Sequence, residues 1–213
     1  MNSKISLAVE HLIKNDVVLA AVIRNNDLPR FSPHTQYYQE LVSSIVSQQL
    51  SVKAAATIQK RFVDNLFDGA FPTPKMILTY SIEQLRSVGL SRGKATYIQD
   101  LARHIIDGTL QLDGLNRLSN DEIIQKLTQV KGIGTWTAHM FLMFCMGRLD
   151  ILPVGDLGIR NGIKALYKFD DIPTIFEVED VAKKYNWHPY ESVAAWYVWR
   201  SLENVPILVP QDE

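Results

Sequence analysis

Cysteine is almost missing from this chain. The single one, Cys145, stands in an apolar run, so a disulfide framework, a multi-cysteine cluster and a cysteine-based zinc site are excluded, and the residue reads as core. An excess of charge of one sign is missing too: 22 Lys and Arg stand against 23 Asp and Glu over 213 residues, a formal net charge of -1. Without a bulk positive field, any nucleic-acid contact has to come from a local patch or from backbone amides. No apolar run reaches the roughly 18 residues of a membrane helix, and Met1 to Glu10 lack an apolar signal core. A soluble protein is expected, cytoplasmic, or nuclear in an organism that has a nucleus, with no membrane contact. Sustained period-two alternation is absent as well, and the one extended candidate, Leu149 to Val154, is short and ends at a proline and a glycine. The five histidines have no metal-ligand spacing, and no Ser-His-Asp order stands out.

What is present is helical periodicity, densest around one hairpin. Ser119 with Glu122 three residues on, followed by Ile123, Ile124, Leu127 and Val130, predicts a capped helix ending at Lys131. Gly132-Ile133-Gly134 then permits a sharp turn, and Thr135 opens an apolar helix that runs on through Met140 to Met146. Such a turn leaves the amides of Gly132, Ile133, Gly134 and Thr135 facing outward, a seat for one phosphate that carries no sequence information. Downstream, Leu152-Pro153-Val154-Gly155 leads into Asp156, with Leu157, Ile159 and Ile163 opening a further helix behind it. One carboxylate is thereby expected near the held backbone.

Along the rest of the chain, two short helices are expected between Ser3 and Asn25, and a loop through Pro29 and Pro33. A helix follows over Tyr37–Val46 and ends in Ser47-Gln48-Gln49-Leu50, and Ser51 caps another that ends by Gly69. Pro72 and Pro74 read as a loop before a short helix from Ser81 to Val88. A second hairpin-like turn, Gly89 to Ala95, leads to a helix ending near Ile106. Helices over Leu157–Tyr167, Glu177–Tyr185 and Pro189–Leu202 complete the set, and Val205 to Glu213 reads as a loosely held tail. The expected fold is all-α: one domain over residues 1–213 with two helical lobes, a cleft between them, and the hairpin at about 119–147.

On the residues Val130-Lys131-Gly132-Ile133-Gly134-Thr135-Trp136-Thr137-Ala138 and Leu152-Pro153-Val154-Gly155-Asp156-Leu157-Gly158, the chain resembles the helix-hairpin-helix DNA glycosylase superfamily, and most of all its 3-methyladenine DNA glycosylase II branch. The likeness extends to Ile45 through Ser51, Gly89 through Ala95 and Trp187 through Trp199. It implies a monofunctional hydrolase of base excision repair that removes alkylated purines, 3-methyladenine and 7-methylguanine, from double-stranded DNA. The expected protein is a monomer that requires no cofactor.

The resemblance also assigns residues. Asp156 matches the catalytic carboxylate, which stabilises an oxocarbenium-like sugar and orients or deprotonates the attacking water; read without the family, it would only cap the next helix. Trp136 stands where bifunctional members carry the lysine that attacks the sugar, so no Schiff base can form there. Trp136 and Trp199 match aromatic walls of the base pocket, suited to an electron-poor methylated ring, and Met140 stands where the family has a pocket tyrosine. Gln49 falls at the position of the wedge that fills the gap left by a flipped base, with Gln48 beside it and Leu90 as a partner on the second hairpin. Backbone carbonyls of Thr128, Val130 and Ile133 match a site for a structural Na+ or K+ that bridges to a DNA phosphate. Two rival functions remain: a glycosylase of the same fold with a different damaged base, and a non-catalytic DNA-binding hairpin module, which would need neither Asp156 nor the pocket tryptophans.

Overall fold

A computed structural model describes residues 2–202. The tail expected over Val205 to Glu213 lies outside the described residues. Every regular element among them is a helix. The chain divides into two compact units: one takes the described residues up to Pro33 and from Leu142 on, the other His34–Phe141.

In the first unit, α1 (Asn2–Asn15) and α2 (Val17–Arg24) pack with α10 (Leu157–Tyr167), α11 (Ile175–Lys184) and α12 (Glu191–Ser201). Asp16 breaks the first two helices apart and caps α2, its Oδ1 accepting from the Val18 and Leu19 amides at 3.0 and 2.9 Å. Its Oδ2 accepts from the Trp187 indole at 2.8 Å and from the Tyr167 hydroxyl, so a fully buried carboxylate meets four donors. That satisfaction is what makes burying the charge tolerable, and it ties the start of the chain to α10 and to the segment before α12. Gly162 lets α10 and α12 meet closely: a Cβ there would stand 2.5 Å from Val198 Cγ1 and 2.9 Å from the Val198 carbonyl oxygen. The start of α12 is in turn pinned to the segment before Asp156. Buried Ser192 accepts from the Ile151 amide at 3.1 Å, its hydroxyl reaches the Arg148 carbonyl at 2.8 Å, and its amide donates to the Leu149 carbonyl at 2.8 Å.

The second unit holds α3 (Tyr37–Ser47), α4 (Val52–Phe67), α5 (Pro74–Thr79), α6 (Ile82–Arg86), α7 (Arg92–Ile106), α8 (Asn120–Leu127) and α9 (Thr135–Met140). The caps read from sequence are made: Ser51 accepts from the Ala54 amide at 3.3 Å, and Ser119 and Glu122 form a reciprocal capping box at the head of α8. Two boundaries differ from expectation. Residues 74–79, expected as loop, form α5, because Pro74 occupies the first helical position, where a missing N–H costs nothing, and Thr73 caps it. The helix expected to end at Lys131 ends at Leu127 instead. Thr128 is its C-cap, and the hairpin takes up Thr128 to Gly134, with the Val130 amide donating to the Leu127 carbonyl at 3.1 Å. Past α9 the same helix widens into a π turn over Phe141–Cys145, a register change that periodicity in an all-apolar run cannot reveal.

Candidate nucleic-acid interface and catalytic carboxylate

In the second unit, Gly132 has φ +84° and Gly134 is the N-cap of α9 with φ -91°. A Cβ on Gly132 would stand 2.2 Å from Tyr97 Cδ2, whereas a Cβ on Gly134 would meet nothing within 4 Å. The two glycines therefore do different work. Gly132 makes the turn and admits the Tyr97 ring, while Gly134 keeps the outer approach to the Thr135 end of α9 open. Ile133 is a buried anchor of the turn. Its amide donates to the Val130 carbonyl at 3.1 Å, so within the expected phosphate seat the Ile133 N–H is already engaged.

The carbonyls expected to hold a monovalent cation sit at the tail of α8. Thr128, as C-cap, belongs to the helix end whose last carbonyls have no partner within the helix and which carries the negative pole of its dipole. Val130 has one lone pair taken by Ile133 and one remaining. Neutral carbonyl donors of this kind fit Na+ or K+. Among the described residues, no group of three or more His, Cys, Asp or Glu side chains could hold a metal ion.

The α3–α4 turn separates the two candidate wedge residues. Gln49 is exposed, with a left-handed backbone at φ +58°. Gln48 is tied down: its Nε2 donates to the Gly132 carbonyl at 2.7 Å, which makes it a brace of the hairpin. Leu90, expected as a partner of the wedge on the second hairpin, is 3% exposed, a buried residue beneath the second turn. Lys94 donates from Nζ to the Val46 carbonyl at 2.7 Å, and burial lowers its pKa. On α9, Trp136 is 49% exposed, a large apolar ring at the surface, while Met140 is half-buried. His139 between them is pushed below the ordinary histidine pKa by burial, which favours its neutral form.

In the first unit, Asp156 follows a tight turn in which its amide donates to the Pro153 carbonyl at 2.9 Å. Its Oδ1 accepts from the Ile159 amide at 2.8 Å, capping α10, and from Trp199 Nε1 at 2.8 Å. Capping and the catalytic role expected of it are therefore compatible, because the two donors fix the plane of a carboxylate that remains partly exposed. Trp199, expected as a pocket wall, is packed beside the carboxylate. Its indole is 2% exposed and stacks on Phe144, centroids 6.3 Å apart, so what the structure shows of it is a buried donor that orients Asp156. Gly158 makes room for this bond: a Cβ there would lie 3.0 Å from Asp156 Oδ1 and 3.0 Å from Trp199 Cδ1. Sequence reasoning missed Gly158 and Ser192 as supports of the carboxylate. Gly158 stood within the recognised motif, but nothing in the sequence shows which indole it faces.

Residues 42–186 match the family model of the HhH-GPD superfamily of base excision DNA repair proteins. DNA-3-methyladenine glycosylase 1 of Schizosaccharomyces pombe is 36% identical over 203 residues, covering 93% of this chain and 87% of that protein. Among solved structures, the S. pombe 3-methyladenine DNA glycosylase in complex with abasic DNA superposes with a TM-score of 0.76 at 37% identity, covering 91% of this chain and 95% of that one. A DNA-3-methyladenine glycosidase from Bacillus halodurans gives 0.80 at 38% identity, covering 91% and 88%. The matched stretch takes in the hairpin and Asp156 alike, and the chain belongs to the HhH-GPD superfamily of base excision DNA repair proteins.

Proposed function

We propose that the protein is a monofunctional DNA glycosylase that hydrolyses the N-glycosidic bond of alkylated purines, 3-methyladenine and 7-methylguanine, in double-stranded DNA. The observation that carries the reading is Asp156, a carboxylate held by the Ile159 amide and the Trp199 indole in a chain of this superfamily. The relatives named as 3-methyladenine glycosylases supply the substrate class.

An N-alkylated purine is already cationic, so it leaves as a neutral base without a general acid. As the bond from C1′ to the base nitrogen lengthens, positive charge develops on the sugar, and the Asp156 carboxylate stabilises it. Water adds to C1′, its proton passes to Asp156, and an abasic site remains in an uncut strand. Trp136 supplies an exposed aromatic face for the electron-poor ring. The amides at Gly134 and Thr135 hold a phosphate, and Gln49 fills the gap in the stack. A Na+ or K+ on the carbonyls of Thr128, Val130 and Ile133 would add positive charge opposite a backbone phosphate. The protein acts as a monomer, in the nucleoid or the nucleus.

Two outcomes follow. Product DNA is expected to break only after hot alkali, and borohydride is expected to trap no enzyme–DNA adduct, because Trp136 offers no amine; efficient trapping would move the protein to the bifunctional branch. Trp199→Phe keeps an aromatic ring and removes the donor to Asp156. A hydrogen bond to a charged group contributes about 1.5–3 kcal/mol, so single-turnover base release should slow by roughly 10- to 100-fold while affinity for abasic DNA stays within a few-fold. An unchanged rate would show that the indole does not position the carboxylate.

A further inference from the structure

One face of α7 touches both the hairpin and the end of α3 in its unit. Lys94, Tyr97 and Asp100 follow one another at intervals of three residues, which aligns them along the helix. Lys94 Nζ donates to the Val46 carbonyl at the end of α3, just before Gln48 and Gln49. The Tyr97 ring lies flush on Gly132, where even a methyl group would overlap it at 2.2 Å. Asp100 is buried and accepts from the Lys131 amide through Oδ2 at 2.9 Å, with Lys131 Nζ 3.8 Å from its Oδ1 and His104 Nε2 3.6 Å from its Oδ2. Gln48 closes the circuit by donating to the Gly132 carbonyl at 2.7 Å. Three segments far apart in sequence are thus joined at four points. A turn with few contacts of its own drifts, and Gln49, strained at φ +58°, is the residue such drift would misplace.

We propose that Asp100, Tyr97, Lys94 and Gln48 are positioning residues that lock the hairpin and the α3–α4 turn into one frame, so that a phosphate held by the hairpin sets where Gln49 enters the duplex. The inference rests on the glycosylase reading given above. Asp100 is buried beneath the turn, and its effect on DNA is transmitted through Lys131 and Gly132.

A double-mutant cycle tests this, with the readout the ratio of affinities for an abasic-site duplex and the same duplex undamaged. Gln49→Ala removes the wedge, Asp100→Ala removes the acceptor for the Lys131 amide, and far-UV circular dichroism with a thermal midpoint confirms that each variant is folded. Each single variant is expected to lower the ratio at least fivefold, and the double variant to lower it no further than Gln49→Ala alone, since a wedge that is gone cannot be misplaced. Asp100→Asn, which keeps an oxygen acceptor, should recover most of the ratio. Should Asp100→Ala fail to fold, Gln48→Leu replaces it in the cycle with the same expectation. Effects that multiply to within twofold overturn the frame, as does Gln49→Ala with an unchanged ratio. Wild-type protein that does not distinguish the two duplexes overturns the glycosylase reading itself, and the frame with it.

Discussion

Asp156→Asn should lower single-turnover base release by on the order of a thousandfold, the scale seen when a preorganised electrostatic group is removed from a developing charge. The substitution is close to isosteric. Asn is as good an N-cap as Asp, and its side-chain oxygen can still accept from the Ile159 amide and from Trp199 Nε1, so the head of α10 should keep its geometry. The thermal midpoint should therefore move little, and affinity for an abasic duplex should stay within a few-fold of wild type. Asp156→Ala makes a poor control by comparison, because it also removes the cap and leaves the buried Trp199 indole without its acceptor, a further loss of about 1–3 kcal/mol. Near-normal turnover by Asp156→Asn would show that the carboxylate does not carry the chemistry.

Gly132→Ala should be the most damaging of the conservative hairpin substitutions. A positive φ costs a non-glycine residue about 1–3 kcal/mol, and forcing a methyl group into the Tyr97 ring adds about 1–3 kcal/mol of overpacking, at φ +84° and a 2.2 Å approach. A destabilisation of roughly 2–6 kcal/mol is expected by denaturant titration, with DNA affinity lost for every sequence alike. Gly134→Ala is the contrast: its φ of -91° suits alanine and the new methyl group enters open space. It should cost the free protein about 1 kcal/mol or less and weaken DNA binding alone, uniformly across sequences. Loss confined to particular sequences would mean that the hairpin reads bases rather than phosphate.

The contrast between these glycines marks how far the sequence could be read. Both lie in one motif, and the motif alone places both at the approach of a phosphate; only the placement of Tyr97, 35 positions upstream of Gly132, separates turn-maker from open face. Local signals were legible where the physics is local. Ser51 and Ser119 announced their helices, and α10 runs over the residues its apolar spacing marks, because caps and periodicity act within a few positions. The end of α8 was misplaced because Val130 continues the apolar spacing beyond the point where the backbone turns. Pro74 suggested a loop although proline at a first helical position is compatible with a helix. Asp156 was legible as the cap of α10, and its indole partner was not. An indole in a family pocket reads as a wall, and nothing in the sequence shows that Trp199 points its N–H at the carboxylate across 43 residues of chain. The surroundings of Gln48 and Leu90 were hidden for the same reason, since a long-range hydrogen bond to Gly132 and burial beneath a turn are properties of packing.

The central claim is tested most directly by incubating the purified protein with DNA carrying radiolabelled methyl groups and identifying the released bases by chromatography. The account predicts free 3-methyladenine first, 7-methylguanine more slowly, and neither from the Asp156→Asn variant. Retention of all label in the DNA under conditions where the wild-type protein binds an abasic duplex would contradict it.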